Sequence, residues 1–313
     1  MKQRHWVVSA AVILLVLYAA RKVDWSAAGT ILSRAAVAPL VAAILVNIFS
    51  VALRGVRWWI FLRRVGVSSM PLAIRGAIVG AGFNNLLVAN GGDAARALLV
   101  ARASGATRTA VLATLVLDRI FDPFCFGLLL FVATFIMPLP AQLSHARPIA
   151  GVALIVVIAL LAALVKAPER AVGAAASDEG WRSRARAFRQ QAVGLATARR
   201  FVPAAAISIA IWALQIVTFG LAARSVGIAL PLAGDVSAML LTNAGLVLRA
   251  TPGNVGYFQF AYAVAVSRFG VATESAVAAA VLLQMVQIIP TTLLAVALAP
   301  GMFRANGGTA AAE

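Results

Sequence analysis

Apolar runs of roughly 17–25 residues recur along almost the whole chain, and each is long enough to cross a hydrocarbon layer about 30 Å thick. A backbone surrounded by lipid must satisfy its own N–H and C=O groups, so runs of this kind fold as helices. Composition agrees: 62% of the 313 residues are hydrophobic and 12% are charged, against about 45–50% and about 25% in soluble domains. The expectation is an all-α polytopic membrane protein, with one transmembrane domain over residues 1–313. No segment is long and polar enough for a separate soluble domain.

Six full spans are read at 6–20, 39–62, 110–137, 148–166, 201–223 and 275–299. The first is short, about 22 Å of helix, but Arg4 and Arg21 can reach the interfaces from its ends. The opening MKQRHWVVSAAVILLVLYAARK has the basic start and apolar core of a secretory leader. Arg21 and Lys22 follow the apolar run directly and no A-x-A site closes it, so an uncleaved first helix is expected.

Two further apolar segments are interrupted by polar residues. Asn84, Asn85, Asn90, Gly91, Gly92 and Asp93 break residues 72–101, and Arg249, Thr251, Pro252, Gly253, Asn254 and Gly256 break 232–269. Each reads as a re-entrant hairpin that enters the membrane, turns at its polar tip and leaves on the same side. The charges are then self-consistent. With the amino terminus inside, 17 Lys or Arg fall on cytoplasmic stretches and six on the other side. Eight of the cytoplasmic ones lie in the loop 166–200, which contains WRSRARAFRQ. Basic residues in short loops set orientation, so both termini are expected in the cytoplasm. The hairpins then enter from opposite faces, and paired Gly/Pro-broken segments in the two halves of a chain point to a transporter-like site near the midplane.

The residues of GGDAARALLVARASGATRTAVLATLVLDRIFD, followed far downstream by TPGNVGYFQFAYAVAV, resemble the transmembrane domain of lysylphosphatidylglycerol synthases and their stand-alone relatives. That family carries G-[DE]-x-x-R-A, then L-[DE]-R-x-x-D, then PG-[GN]-x-G-x-F, and all three occur here in order. Asn254 stands where a glycine is common. The resemblance implies a flippase-like protein of the bacterial inner membrane whose cargo is an anionic phospholipid or, as in hopanoid-associated relatives, an isoprenoid-type lipid. The chain ends at Glu313 after a Gly/Ala tail, so the soluble synthase domain of the two-domain members is expected to be absent. Synthase activity is not carried over.

The candidate substrate-binding residues are Asp93, Arg96, Arg249, Asn254 and Tyr257. Asp93 after two glycines suits the cap of a half-helix beginning at Ala94. The amino terminus of that half-helix would favour an anion such as a lipid phosphate, and Arg96 would add a two-pronged contact. The alternative is that Asp93 is only a cap and Arg96 its neutralising partner. At the second tip Pro252 and Gly253 break the helix, Asn254 can cap the next one, and Tyr257 and Phe258 either line a path or pack. Arg249 needs an anion, water or a carboxylate; one alternative is an ion pair with Asp118 or Asp122. LDRIFD sets Asp118 and Asp122 at i and i+4 on one helical face beside Arg119, a coupling or ion-pair network. Arg54 and Arg57 beside Trp58 and Trp59 read most simply as interfacial anchors, with a headgroup role as the alternative.

Several classes are disfavoured. The net charge of +17 would suggest nucleic acid in a soluble chain, but here positive loops account for it and no aromatic-interleaved basic surface exists, so no nucleic-acid partner is expected. His5 lies at the terminus and His145 in a loop, acidic residues are scattered, and Cys125 stands alone in an apolar run. No metal site, catalytic residue or cofactor is expected. There is no P-loop and no G-x-S-x-G. Lipid transport is therefore the expected function. The alternatives are an embedded lipid-modifying enzyme using Asp118 or Asp122 as base, or a scaffold that recruits lipid-synthesis enzymes through loop 166–200.

Overall fold

The computed structural model describes residues 25–86, 91–136, 147–148, 150–152, 154–156, 158–159, 198–244 and 256–304, and among these the chain is all α-helical between its turns. The helices are α1 (Trp25–Ser33), α2 (Val37–Leu62), α3 (Met70–Leu86), α4 (Gly91–Ser104), α5 (Arg108–Ile136), α6 (Ala198–Ser225), α7 (Leu232–Ala244), α8 (Tyr257–Ser267) and α9 (Thr273–Arg304). The described residues between 147 and 159 are helical as well.

Three of these helices are long and apolar enough to cross a membrane, and they coincide with the expected spans at 39–62, 201–223 and 275–299. The expected span at 110–137 is one 29-residue helix, α5, with Asp118, Arg119, Asp122 and Pro123 inside it. The span at 6–20 and much of that at 148–166 lie outside the described residues. Helix α1 was not anticipated, because WSAAGTILS mixes small and polar residues without a clear apolar stripe.

Each interrupted segment is two helices rather than one. In the first, the described part of α3 has 17 residues and that of α4 has 14, about 25 Å and 21 Å of helix. Three glycine contacts fix how the arms run. A Cβ on Gly76 would lie 2.7 Å from Val100 Cγ2, one on Gly80 would lie 2.6 Å from Arg96 Cδ, and one on Gly92 would overlap the Gly80 carbonyl oxygen and approach the Asn84 nitrogen. Residue numbers rise on one arm as they fall on the other, so α3 and α4 are antiparallel arms of a helical hairpin. Small residues let such helices close tightly in a membrane, where packing rather than hydrophobic burial drives association. In the second segment α7 packs on α8, and Tyr257, the first residue of α8, donates its hydroxyl to the Leu241 carbonyl near the end of α7 at 3.1 Å.

The chain divides into two compact units. One contains residues 51–84, 89–212 and 293–313. Its core joins Trp58, Leu62, Val79, Val100, Val111 and Leu115, beside a second cluster of Phe61, Leu117, Phe121 and Phe201. Within it α2 crosses α3 closely enough that a Cβ on Gly55 would sit 2.5 Å from Ile74 Cα. Gly55→Ala is therefore expected to destabilise the protein by about 1–3 kcal/mol, seen as a lower melting temperature in detergent. Gly29→Ala in α1, where nothing lies within 4 Å of an added Cβ, is expected to be neutral or to stabilise by up to about 1 kcal/mol.

The other unit contains residues 1–50, 85–88 and 213–292, and an uncharged network ties its helices together. Asn47 donates to the Val286 carbonyl at 3.3 Å, Gln215 donates to Ser50 Oγ at 2.7 Å, and Gln287 donates to Gln215 Oε1 at 3.5 Å. The Gln259 carboxamide accepts the Gly256 N–H and donates to Gln284 Oε1, both at 2.6 Å. Gly256 holds φ at 88° just before α8, a conformation that glycine adopts without strain. The residue before α8 is thus Gly256, capped from inside the helix by Gln259. The expected cap Asn254 lies outside the described residues.

Candidate anion site around a buried ionic ring

The first unit gathers most of the ionisable residues singled out from the sequence. Asp93 and Arg96 come from the first turns of α4, and Asp118, Arg119 and Asp122 from the middle of α5. Arg57 comes from the last third of α2. Helix α4 packs on α5, and this brings the tip end of the hairpin to the acidic face of LDRIFD.

The six charges form a closed loop of alternating sign. Arg57 Nε lies 2.7 Å from Asp118 Oδ1, and Asp118 Oδ2 lies 3.5 Å from Arg96 Nη2. Arg96 Nε lies 3.2 Å from Asp93 Oδ1, and the other Asp93 oxygen accepts from Arg119 Nη2 at 2.6 Å. Arg119 Nη1 lies 3.3 Å from Asp122 Oδ2, and Asp122 Oδ1 lies 3.1 Å from Arg57 Nη1, which closes the loop. Every aspartate is thus flanked by two arginines and every arginine by two aspartates.

Surrounding groups hold the loop in place. Arg57 Nη1 also donates to Ser208 Oγ of α6 at 2.9 Å. The Arg96 guanidinium stacks on Trp58, 4.7 Å from the ring centroid, and Trp58 in turn donates its indole N–H to Thr114 Oγ1 at 3.0 Å. Such a stack on a desolvated tryptophan contributes about 0.5–2 kcal/mol. On the hairpin, Asn84 accepts the Gly92 N–H at 3.0 Å and donates to Asp93 Oδ1 at 3.3 Å.

This corrects two expectations. Asp93 does not cap a helix starting at Ala94: α4 already begins at Gly91, the Gly92 N–H is taken by Asn84 from the opposite arm, and the Asp93 carboxylate is committed to Arg96 and Arg119. Nor is Arg57 an interfacial anchor. It is 1% exposed and is one of the largest fully buried side chains, because WWIFL extends α2 for more than a turn beyond it. The sequence carried that signal in the apolar run continuing past the arginine. Trp59 is placed differently, its indole donating to the Ser68 carbonyl at 2.8 Å and the Arg63 guanidinium lying 4.7 Å from its ring centroid.

The loop is closed on one side and open on the other. The Arg57, Asp118 and Arg96 side chains are 1%, 2% and 5% exposed, whereas those of Asp122 and Arg119 are 23% and 40% exposed. Three arginines and three aspartates cancel, but Arg54, one turn before Arg57, lies within electrostatic reach of Asp122, Arg57 and Arg119 and adds one positive charge that no ion pair among the described residues offsets. The Nε atoms of Arg54 and Arg119 are buried without a hydrogen-bond acceptor, and that of Arg96 faces Asp93 out of hydrogen-bonding alignment. Buried guanidinium donors are normally satisfied, so these three buried Nε atoms stand out, while the open side itself is formed by the partly exposed Arg119 and Asp122 side chains.

The other site residues stand apart from this group. Arg249 and Asn254 lie outside the described residues. Tyr257 belongs to the second unit, where its hydroxyl is bonded to Leu241, and Phe258 packs against Phe219 at 6.3 Å between centroids. Cys125 is buried. Among the described residues no group of three or more His, Cys, Asp or Glu could hold a metal ion. The family profile described as the lysylphosphatidylglycerol synthase TM region matches residues 6–295. No curated protein matches the chain.

Proposed function

Since the chain belongs to the family of the lysylphosphatidylglycerol synthase TM region, a multi-pass membrane protein family of flippase-like character, we propose that it moves an anionic phospholipid or isoprenoid-type lipid between leaflets. The headgroup passes the open side of the Arg57–Asp118–Arg96–Asp93–Arg119–Asp122 loop. Its phosphate is drawn by the partly exposed Arg119 guanidinium and the positive charge of Arg54 while the tails stay in lipid. One observation carries this reading: a charge-balanced loop among apolar helices, partly exposed at Arg119 and Asp122, has one extra arginine within electrostatic reach and buried Nε atoms on Arg54 and Arg119 without an acceptor. An uncompensated charge among apolar helices is costly unless it meets an anion or water, and a phosphate bound there answers that cost.

The two hairpins support the same reading. Each is broken by polar residues, and broken helices of this kind contribute to substrate sites in transporters. We place the protein in a bacterial inner membrane with both termini in the cytoplasm. The enzyme alternative is weaker, because Asp118 and Asp122 each already hold two arginines and neither carboxylate is left free to act as a base.

Arg54→Gln tests the proposal, since Arg54 is outside the loop and its removal leaves all six ion pairs in place. Purified protein in liposomes carrying labelled phosphatidylglycerol is expected to scramble or flip the lipid, and Arg54→Gln to slow this about tenfold, as loss of one charge-assisted contact implies. Equal rates for the parent and the variant would count against the reading.

A further inference from the structure

A second basic site lies on the first unit, at the end of α2. After Leu62 the chain makes a single 3-10 turn, Arg63–Val65, and reverses at Gly66 with φ 87°, where the Val67 N–H returns to the Leu62 carbonyl at 3.1 Å. That turn holds Arg63 and Arg64 at the helix end. The first turn of α6 brings Arg199 and Arg200 to the same place. Between them is an open cavity of about 510 Å³ lined by Ile60, Arg63, Arg64, Arg199, Arg200 and Pro203.

The described side chains that line this cavity carry positive charge and no negative charge. Basic residues beyond the carboxy terminus of α2 are favourably placed, and Arg199 and Arg200 lie in the first described turn of α6. No acidic residue occupies the first turn of α6, and no acidic side chain is among the described residues lining the cavity. Four guanidiniums from two elements therefore line one space. The floor is apolar, made by Ile60 and Pro203. Both helices are long and apolar enough to span, and the cavity joins the carboxy end of one to the amino end of the other, so it opens at a membrane surface. Its size falls in the range of about 300–1,000 Å³ typical of ligand sites.

The geometry points to an interfacial binding site for a phosphate-bearing lipid headgroup, with the phosphate among Arg63, Arg64, Arg199 and Arg200 and the start of an acyl chain against Ile60 and Pro203. Arginine suits this because its planar fork pairs with phosphate oxygens two at a time. The apolar floor selects a lipid over a free anion. The site is distinct from the buried loop: Arg63 is six residues beyond Arg57, about 9 Å along the chain axis if the helical rise continued. Binding here does not depend on transport.

The test reads lipid retention rather than flipping. Full-length protein is equilibrated with vesicles of equal parts phosphatidylcholine and phosphatidylglycerol, and co-purifying lipid is counted by native mass spectrometry. The parent is expected to retain phosphatidylglycerol in preference to phosphatidylcholine. Arg64→Gln combined with Arg199→Gln is expected to weaken that retention by roughly thirtyfold, and Arg64→Lys with Arg199→Lys to keep most of it. Melting temperatures of all three proteins in detergent check that the helices are intact. Excess inorganic phosphate that leaves the lipid bound supports the lipid assignment, whereas displacement at equal concentration reassigns the cavity to free phosphate and overturns it. Equal phosphatidylglycerol retention by the parent and the Gln pair also overturns it. A negative flip assay with Arg54→Gln would leave this site standing, and loss of this site would leave the loop's transport role standing.

Discussion

Replacing Asp118 with alanine is expected to be the most damaging single change in the loop, lowering stability by about 3–5 kcal/mol. Its carboxylate is almost wholly buried and lies between Arg57 at 2.7 Å and Arg96 at 3.5 Å, so its loss leaves two buried guanidiniums each with one partner fewer. Thermal unfolding in detergent should show the loss directly. A second variant separates stability from function. Replacing a buried ion pair by apolar residues of similar volume is often neutral, so Arg57→Met with Asp118→Leu is expected to recover most of the stability. If the loop serves transport, the double variant stays folded and fails to move lipid. A double variant that is both stable and fully active would make the loop a brace and nothing more.

The next largest effect is expected at Gly92. A Cβ there would overlap the Gly80 carbonyl oxygen and come within 2.5 Å of the Asn84 nitrogen; both are backbone atoms of the opposite arm, which cannot move aside as a side-chain end can. Gly92→Ala must therefore splay the hairpin tip. That breaks the bond from the Gly92 N–H to Asn84 and shifts Asp93, the next residue, away from Arg119. The expected destabilisation is about 2–4 kcal/mol, an overpacking term of about 1–3 kcal/mol plus a lost hydrogen bond of about 1 kcal/mol. Gly80→Ala meets only the Arg96 side chain, at 2.6 Å. It is expected to cost less in stability but to disturb the loop. Melting curves compared with flip rates for the two variants test this order; Gly92→Ala melting like the parent would refute the tight hairpin.

The long helices were legible because an apolar run of this length has few other ways to fold. Helix α2 begins and ends within two residues of the run read at 39–62, and α6 extends only a few residues past 201–223. The i, i+4 spacing of Asp118 and Asp122 likewise put both carboxylates on one face without any tertiary knowledge. What could not be read was which arginines would meet them. Arg57 and Asp118 are 61 residues apart, and Arg96 and Asp118 are 22 apart, so their meeting depends on how α2 and α4 dock on α5. Arg57 next to two tryptophans looked like an interfacial anchor because local composition does not report depth. The amides Asn47, Gln215, Gln259, Gln284 and Gln287 escaped notice for another reason. They carry no charge, and single amides in apolar runs barely change hydropathy, yet they form the polar network of the second unit.

The even number of members in the loop has its own consequence. With six charges alternating in sign, every ion keeps one neighbour of opposite sign when any single contact opens, so rupture at one point turns the circle into a linear string without stranding a bare charge. A phosphate can join such a string only by taking a carboxylate's place between two arginines, since beside a carboxylate it would set like charges together, and its departure lets the original partner return. An isolated pair would have to choose between its partner and the visitor; a string of alternating ions can exchange one member at a time.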